Sequence, residues 1–180
     1  AAHFEGRVSH FITLNEPQIV LKLGYADGIH APGKRLSLPE LVSCWKNLML
    51  AHGLSFRAIR KAAPEALIGI ASTGKLCYPH SPADEDAARQ ETFRLTDSDW
   101  MFTHAIVLDA VCLGRDEPEA GALRKLLSEV TPEEWDTMHA VPDFIGVNSY
   151  NGSEIAAGPD GAPVIVLSNS LGTTRAMWQP

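Results

Sequence analysis

Three short apolar runs, at residues 10–14, 66–72 and 143–150, set the frame of this chain: each has the length of a strand, and helix-forming sequence separates each from the next. A strand that leads into a helix and returns as a strand rejoins the same sheet by a crossover, and such crossovers are right-handed and make parallel pairs. The order strand, helix, strand, helix, strand therefore predicts an α/β protein built of βαβ units on a parallel sheet.

The helix starts are marked by local chemistry. Ser37 precedes Glu40 by three residues, Ser81 stands in the same relation to Asp84, and Thr131-Pro132-Glu133-Glu134 repeats the pattern, each with a proline in the first turn. In such a box the hydroxyl residue and the acid satisfy each other's free backbone N–H groups, and the proline gives up no helical bond. After the first start, Leu41, Trp45, Leu48, His52, Phe56 and Ile59 recur at three- and four-residue spacings, the apolar stripe of a helix that fades before Pro64. His52, on that stripe, reads as a packed, hydrogen-bonded histidine rather than a ligand. The second start opens one long helix or two shorter ones over residues 84 to about 113, with a break available at "TDSD", residues 96–99. Between the first run and the first helix, Pro17 ends the strand, and Gly24, Gly28, Pro32 and Gly33 predict a loop. A turn at 158–161 and a fourth apolar run at 163–168 complete the pattern.

The formal charge of −7 comes with no Lys/Arg block, which argues against nucleic-acid binding. Three well-separated cysteines, Cys44, Cys77 and Cys112, form no C-x-x-C pair, and the seven histidines show no H-E-x-x-H spacing. No metal site, cofactor or disulfide framework is therefore expected, and reduced thiols predict a cytoplasmic setting. No run reaches membrane-spanning length, and the first residues lack the apolar centre of a signal peptide, so neither anchor nor leader is expected.

In a parallel (β/α) arrangement, catalytic groups gather at the carboxyl ends of the strands. Asn15-Glu16 closes the first run and Asn148-Ser149-Tyr150 the third, so both face one rim with a single strand between them. On these residues alone, Glu16 is either a catalytic carboxylate or a polar residue at a strand–loop junction. Asn148 and Tyr150 are either site residues or a strand-end amide and an aromatic cap.

Five segments, in order, resemble glycoside hydrolase family 1, the β-glucosidase group of (β/α)8 barrels. They are "TLNEP" at 13–17, "GYADGIHAPG" at 24–33, "LMLAHGLSFRAIRK" at 48–61, "PADEDAARQ" at 82–90 and "DFIGVNSY" at 143–150. The resemblance covers roughly the first 150 residues. It implies a partial (β/α) TIM barrel, about strands four to six of the eight, in a glycosidase-like domain at 1–157. It also implies hydrolysis of β-linked glucosides by a retaining acid/base mechanism. Glu16 matches the family's general acid/base, and Asn15 the asparagine that hydrogen-bonds the sugar 2-hydroxyl. Tyr150 matches the tyrosine that orients the nucleophilic carboxylate, and Asn148 is a substrate-binding residue of the same rim motif. Phe11 stands where a tryptophan is usual, and Ser149 where an aromatic residue or histidine is usual. The family's nucleophilic glutamate lies in a T/S-E-N-G segment, and no such segment occurs here. The alternative is thus a barrel fragment that is at most a weak sugar binder.

Residues 163–180, "PVIVLSNSLGTTRAMWQP", resemble instead the N-terminal strand and following loop of 3-oxoadipate enol-lactonases, α/β-hydrolases in which this loop helps to build the oxyanion hole. No G-x-S-x-G nucleophile elbow occurs in the chain. Residues 158–180 are therefore expected to be a foreign tail with one short strand, the mark of two fused gene fragments. Three parallel strands leave two open edges and an uncovered face, which predicts a homo-oligomer, a dimer packing the would-be barrel interiors together.

Overall fold

A computed structural model describes residues 2–170 apart from Glu5, Glu119, Asp160 and Gly161; the expected tail beyond Ser170 lies outside the described residues. Among the described residues the strands are β1 (His10–Asn15), β2 (Leu67–Thr73), β3 (Cys77–Pro79), β4 (Phe144–Asn148), β5 (Asn151–Ala157) and β6 (Pro163–Ser170). β2 pairs in parallel with β1 on one edge and β4 on the other, as the alternation of strands and helices requires. A second three-stranded sheet in the order β3-β5-β6 follows. In it β3 and β5 are parallel and β5 and β6 antiparallel, from Ala157 opposite Pro163 to Asn151 opposite Ser170.

The helices are α1 (Pro17–Ile19, continuing in π geometry over Val20–Ala26), α2 (Leu38–Ala62), α3 (Glu85–Phe93), α4 (Ala105–Leu108, continuing in π geometry over Asp109–Leu113), α5 (Ala122–Leu127) and α6 (Pro132–Met138). All three capping boxes form. Thr131 illustrates the reciprocity: its Oγ1 accepts from the Glu134 N–H at 3.2 Å, and its own N–H donates to the Glu134 carboxylate at 2.9 Å. The sequence left open one long helix or two over 84–113, and the chain takes two. The break falls at the "TDSD" turn, where Thr96 and Asp99 exchange backbone hydrogen bonds at 3.1 and 3.2 Å.

β3 and β5 lie outside the four expected strands, and two helices also depart from expectation. Pro17, expected only to end the strand, is also the first residue of α1, a first-turn position where a missing N–H removes no bond. The predicted loop therefore starts after residue 26. α5 carries no start signal of its own. Its first N–H groups, on Ala122 and Leu123, donate at 2.9 and 2.8 Å to the Asp97 carboxylate, which arrives from a distant turn. Those two backbone donors hold Asp97 below the usual carboxylate pKa.

The core lies between β2 and the helices. Leu41, Val42, Trp45 and Met49 of α2 pack with Ile70, Trp100, Ile106, Val111, Leu123 and Met138. The observed buried stripe of α2 includes the expected Leu41, Trp45 and His52, whereas Leu48, Phe56 and Ile59 are only half-buried. Trp45 satisfies its indole N–H on Ile106 O at 2.7 Å. His52 ties three elements together: Nε2 donates to Ala140 O at 2.9 Å, and Nδ1 accepts from the Thr13 hydroxyl of β1 at 2.7 Å. No helix among the described residues is long and apolar enough to cross a membrane.

Two consequences are measurable. A Cβ at Gly53 would come within 1.8 Å of Thr137 O, so α2 and α6 touch there backbone to backbone. Overpacking such a contact costs about 1–3 kcal/mol. Gly53→Ala should lower the urea midpoint accordingly, and an unchanged midpoint would contradict the close approach. Burial lowers the His52 pKa, only partly offset by the bond to Ala140. The unfolded chain thus takes up a proton near the ordinary histidine value while the folded chain refuses it, so stability is full above about pH 6.5 and falls as the pH drops below. The slope for one such histidine is at most about 1.4 kcal/mol per pH unit. Denaturation between pH 7.5 and 5.5 should show a shallower slope in His52→Gln than in the wild type; equal slopes would contradict a neutral buried His52.

Candidate functional site

Register at the carboxyl end of the parallel sheet decides which side chains meet. Ile12 pairs with Gly69 but Asn15 with Ala71, so β1 advances three residues while β2 advances two. This bulge turns Asn15 onto the face that carries Gly69, Ala71 and Thr73, and the β2–β4 register puts Phe144, Gly146 and Asn148 on that same face. Without the extra residue Asn15 would point the way of Thr13, toward α2. From β4, Asn148 Nδ2 donates to Asn15 Oδ1 at 3.2 Å and to Glu16 Oε1 at 2.7 Å.

Glu16 is the first residue beyond β1 and has φ 49° and ψ 57°, a left-handed conformation that a side chain disfavours. Its N–H donates to Ala71 O at 2.8 Å and its C=O accepts from the Ile19 N–H at 2.9 Å, so the strand becomes helix within one residue. The side chain is half-buried, open enough to reach a bound molecule and close enough to the sheet to be held by Asn148.

Three of the four site residues expected from the sequence, Asn15, Glu16 and Asn148, are thus in direct contact. Tyr150 is not in that contact set. It is 65% exposed, and among the described residues no hydrogen bond joins its hydroxyl to the other three. It lines a small cavity of about 90 Å³ with Thr73, Lys75, Phe102 and Ser153, beside the rim.

Beneath the rim lies a polar layer that sequence reasoning passed over. Gln18, in the first turn of α1, is fully buried. Its Nε2 donates to Ser72 Oγ at 2.7 Å and to Thr103 O at 3.2 Å, and its Oε1 accepts from the Thr73 N–H at 3.4 Å. The carbonyl and the amide partners fix which end of the side chain is which. Ser72 Oγ, accepting from Gln18, is also hydrogen-bonded to His104 Nδ1 at 2.9 Å. Burial holds the His104 pKa below the ordinary histidine value, in keeping with a neutral ring. Thr73 Oγ1 donates to Asn148 O at 3.0 Å. The one available signal was the fully polar Gln18 amid the apolar start of a helix, a residue that is buried only when its amide is satisfied.

A half-exposed carboxylate, two amide side chains beside it and a rigid sheet below can bind a polyhydroxyl compound and exchange a proton with it. The sequence profile of Glycosyl hydrolase family 1 matches residues 1–171. Beta-glucosidase A of Thermotoga maritima is 29% identical over 98% of this chain and 39% of its own length. The 1,4-beta-D-glucan glucohydrolase of Thermotoga neapolitana is 27% identical over 98% of this chain and 41% of its own length. The structure of the beta-glucosidase from Thermotoga maritima in complex with cyclophellitol superposes with a TM-score of 0.68 at 28% identity, covering 92% of this chain and 36% of that one. The chain thus spans about two fifths of each of these two relatives, and its parallel sheet with flanking helices is part of an α/β barrel. From the matched residues and the shared fold, the chain belongs to glycosyl hydrolase family 1.

Proposed function

We propose that the rim formed by Asn15, Glu16 and Asn148 is the acid/base half of a β-glucosidase site that cleaves β-linked glucosides with retention. The observation that carries this reading is the 2.7 Å bond from Asn148 to a Glu16 carboxylate standing at the carboxyl end of a parallel barrel strand. Glu16 protonates the departing glycosidic oxygen and then takes a proton from the water that attacks the glycosyl intermediate. Asn15 bonds the sugar 2-hydroxyl, and Asn148 holds the carboxylate and completes the sugar contacts. Tyr150, beside the rim, orients the nucleophile in this reading. The relatives' names support a β-glucoside as substrate.

Retaining chemistry needs a second carboxylate about 5–5.5 Å from the first. The 180 residues contain no T/S-E-N-G segment, so in this reading the nucleophile belongs to a polypeptide segment outside them. Exposed apolar groups on the sheet, Ile12 at 51% on the interior face and Val147 at 60% on the other, support association through that sheet. In this reading the partner is a second copy of the chain. The three free thiols support a reducing, cytoplasmic setting.

General acid/base groups contribute about 10²–10⁴-fold. In a protein that joins these residues to the nucleophile segment, Glu16→Gln should therefore lower hydrolysis of an alkyl β-glucoside by at least about 100-fold, with a smaller loss on p-nitrophenyl β-glucoside, whose leaving group needs less protonation. Equal loss on both substrates, or none, would contradict the role. Absence of turnover in the wild type, with glucoside binding retained, would mean that the chain binds sugar without cleaving it. Sedimentation at micromolar concentration should show a dimer; a monodisperse monomer would contradict self-association.

A further inference from the structure

We propose that Gln18 is a positioning residue that holds Glu16 in its left-handed conformation at the rim. This rests on the reading of Glu16 as the acid/base, but the geometry that carries it concerns the chain alone.

A side-chain-bearing residue in the left-handed region stays there only when its surroundings over-determine it. Glu16 has two backbone bonds, from its N–H to Ala71 and to its C=O from Ile19. The second ties it to a first turn that is itself weakly built. α1 keeps α geometry for three residues before becoming π, and Pro17 contributes no N–H. What locks that turn to the sheet is the side chain of Gln18. Its amide holds the end of β2 at Ser72 and Thr73 and the segment before α4 at Thr103.

These contacts close a ring. Gln18 accepts from the Thr73 N–H, Thr73 Oγ1 donates to the Asn148 C=O, Asn148 Nδ2 donates to Glu16, and Glu16 is joined through Pro17 back to Gln18. The carboxylate and its amide partner are therefore both referenced to one residue, Thr73. Glutamine suits the place because it donates and accepts at once; a glutamate would offer no donor and would bury a charge, and a methionine would fill the volume with neither group.

A purely structural Gln18 would change stability and leave the Asn148–Glu16 contact as it is. The two roles separate in a spectroscopic double-mutant cycle, read on the side-chain ¹⁵N–¹H resonances of Asn148 in the full chain. In the wild type, Glu16→Gln should move those resonances, because the charged acceptor is replaced by a neutral one. In a Gln18→Met background the same change should move them less than half as far. Equal displacement in both backgrounds would overturn the proposal, and so would no displacement in the wild type. Ser72→Ala, which removes one acceptor of Gln18 and leaves the amide in place, is the milder background should Gln18→Met fail to fold, and the same reduction is expected from it. The readout does not depend on turnover, so loss of the hydrolytic reading would leave this result standing, and failure here would leave the hydrolytic test standing.

Discussion

β2 is hydrogen-bonded in parallel register to β1 on one edge and to β4 on the other, and a parallel pair requires each connection to return along the outside of the sheet. The long α2 and the α3–α6 group are those returns; α2, α4 and α5 share the core with Ile70, α3 packs instead against β3 and β5, and Ile68 and Ile70 are completely buried. Because the three strands run the same way, their carboxyl ends open on one side. Asn148 ends within hydrogen-bond reach of both Asn15 and Thr73, from which it is distant in sequence. The opposite face of the sheet, with Ile12 exposed on it, is where a barrel's interior would lie.

The position of the site depends on two local irregularities set into that regular frame. The extra residue in β1 turns Asn15 to the interior face, and the left-handed Glu16 carries the chain straight from strand to helix. Each is a departure that an isolated strand or helix would not keep. Both are held by contacts on β2, Ala71 for the backbone and Ser72 and Thr73 for Gln18. The rigid central strand is thus the reference against which the carboxylate is placed, in keeping with sites whose precision comes from scaffold elements rather than loops.

What was legible in the sequence was what neighbouring residues determine. Ser37 with Glu40, Ser81 with Asp84 and Thr131 with Glu134 are three residues apart, and their caps form as written. The alternation of runs gave the parallel order, and "TLNEP" with "DFIGVNSY" brought Asn15, Glu16 and Asn148 to one rim. What escaped was determined by residues far away. The cap of α5 is Asp97, 25 residues before Ala122, and no short window of sequence contains both. Gln18 is explained by Ser72 and Thr103, 54 and 85 residues on. The bulge in β1 exists only as a mismatch with β2, so the run at 10–14 could not announce it. Tyr150, named from its motif, stands beside the cluster rather than in it, because the chain leaves the first sheet after Asn148 and enters the second at Asn151.

The account turns on one contact, the bond from Asn148 to Glu16. A thermodynamic double-mutant cycle on unfolding, with Glu16→Gln, Asn148→Ala and the double substitution, isolates it. A hydrogen bond to a charged group in this half-buried setting should give a coupling of about 1.5 kcal/mol or more. Strictly additive effects would mean that the two side chains do not meet, and that the rim is not the site described.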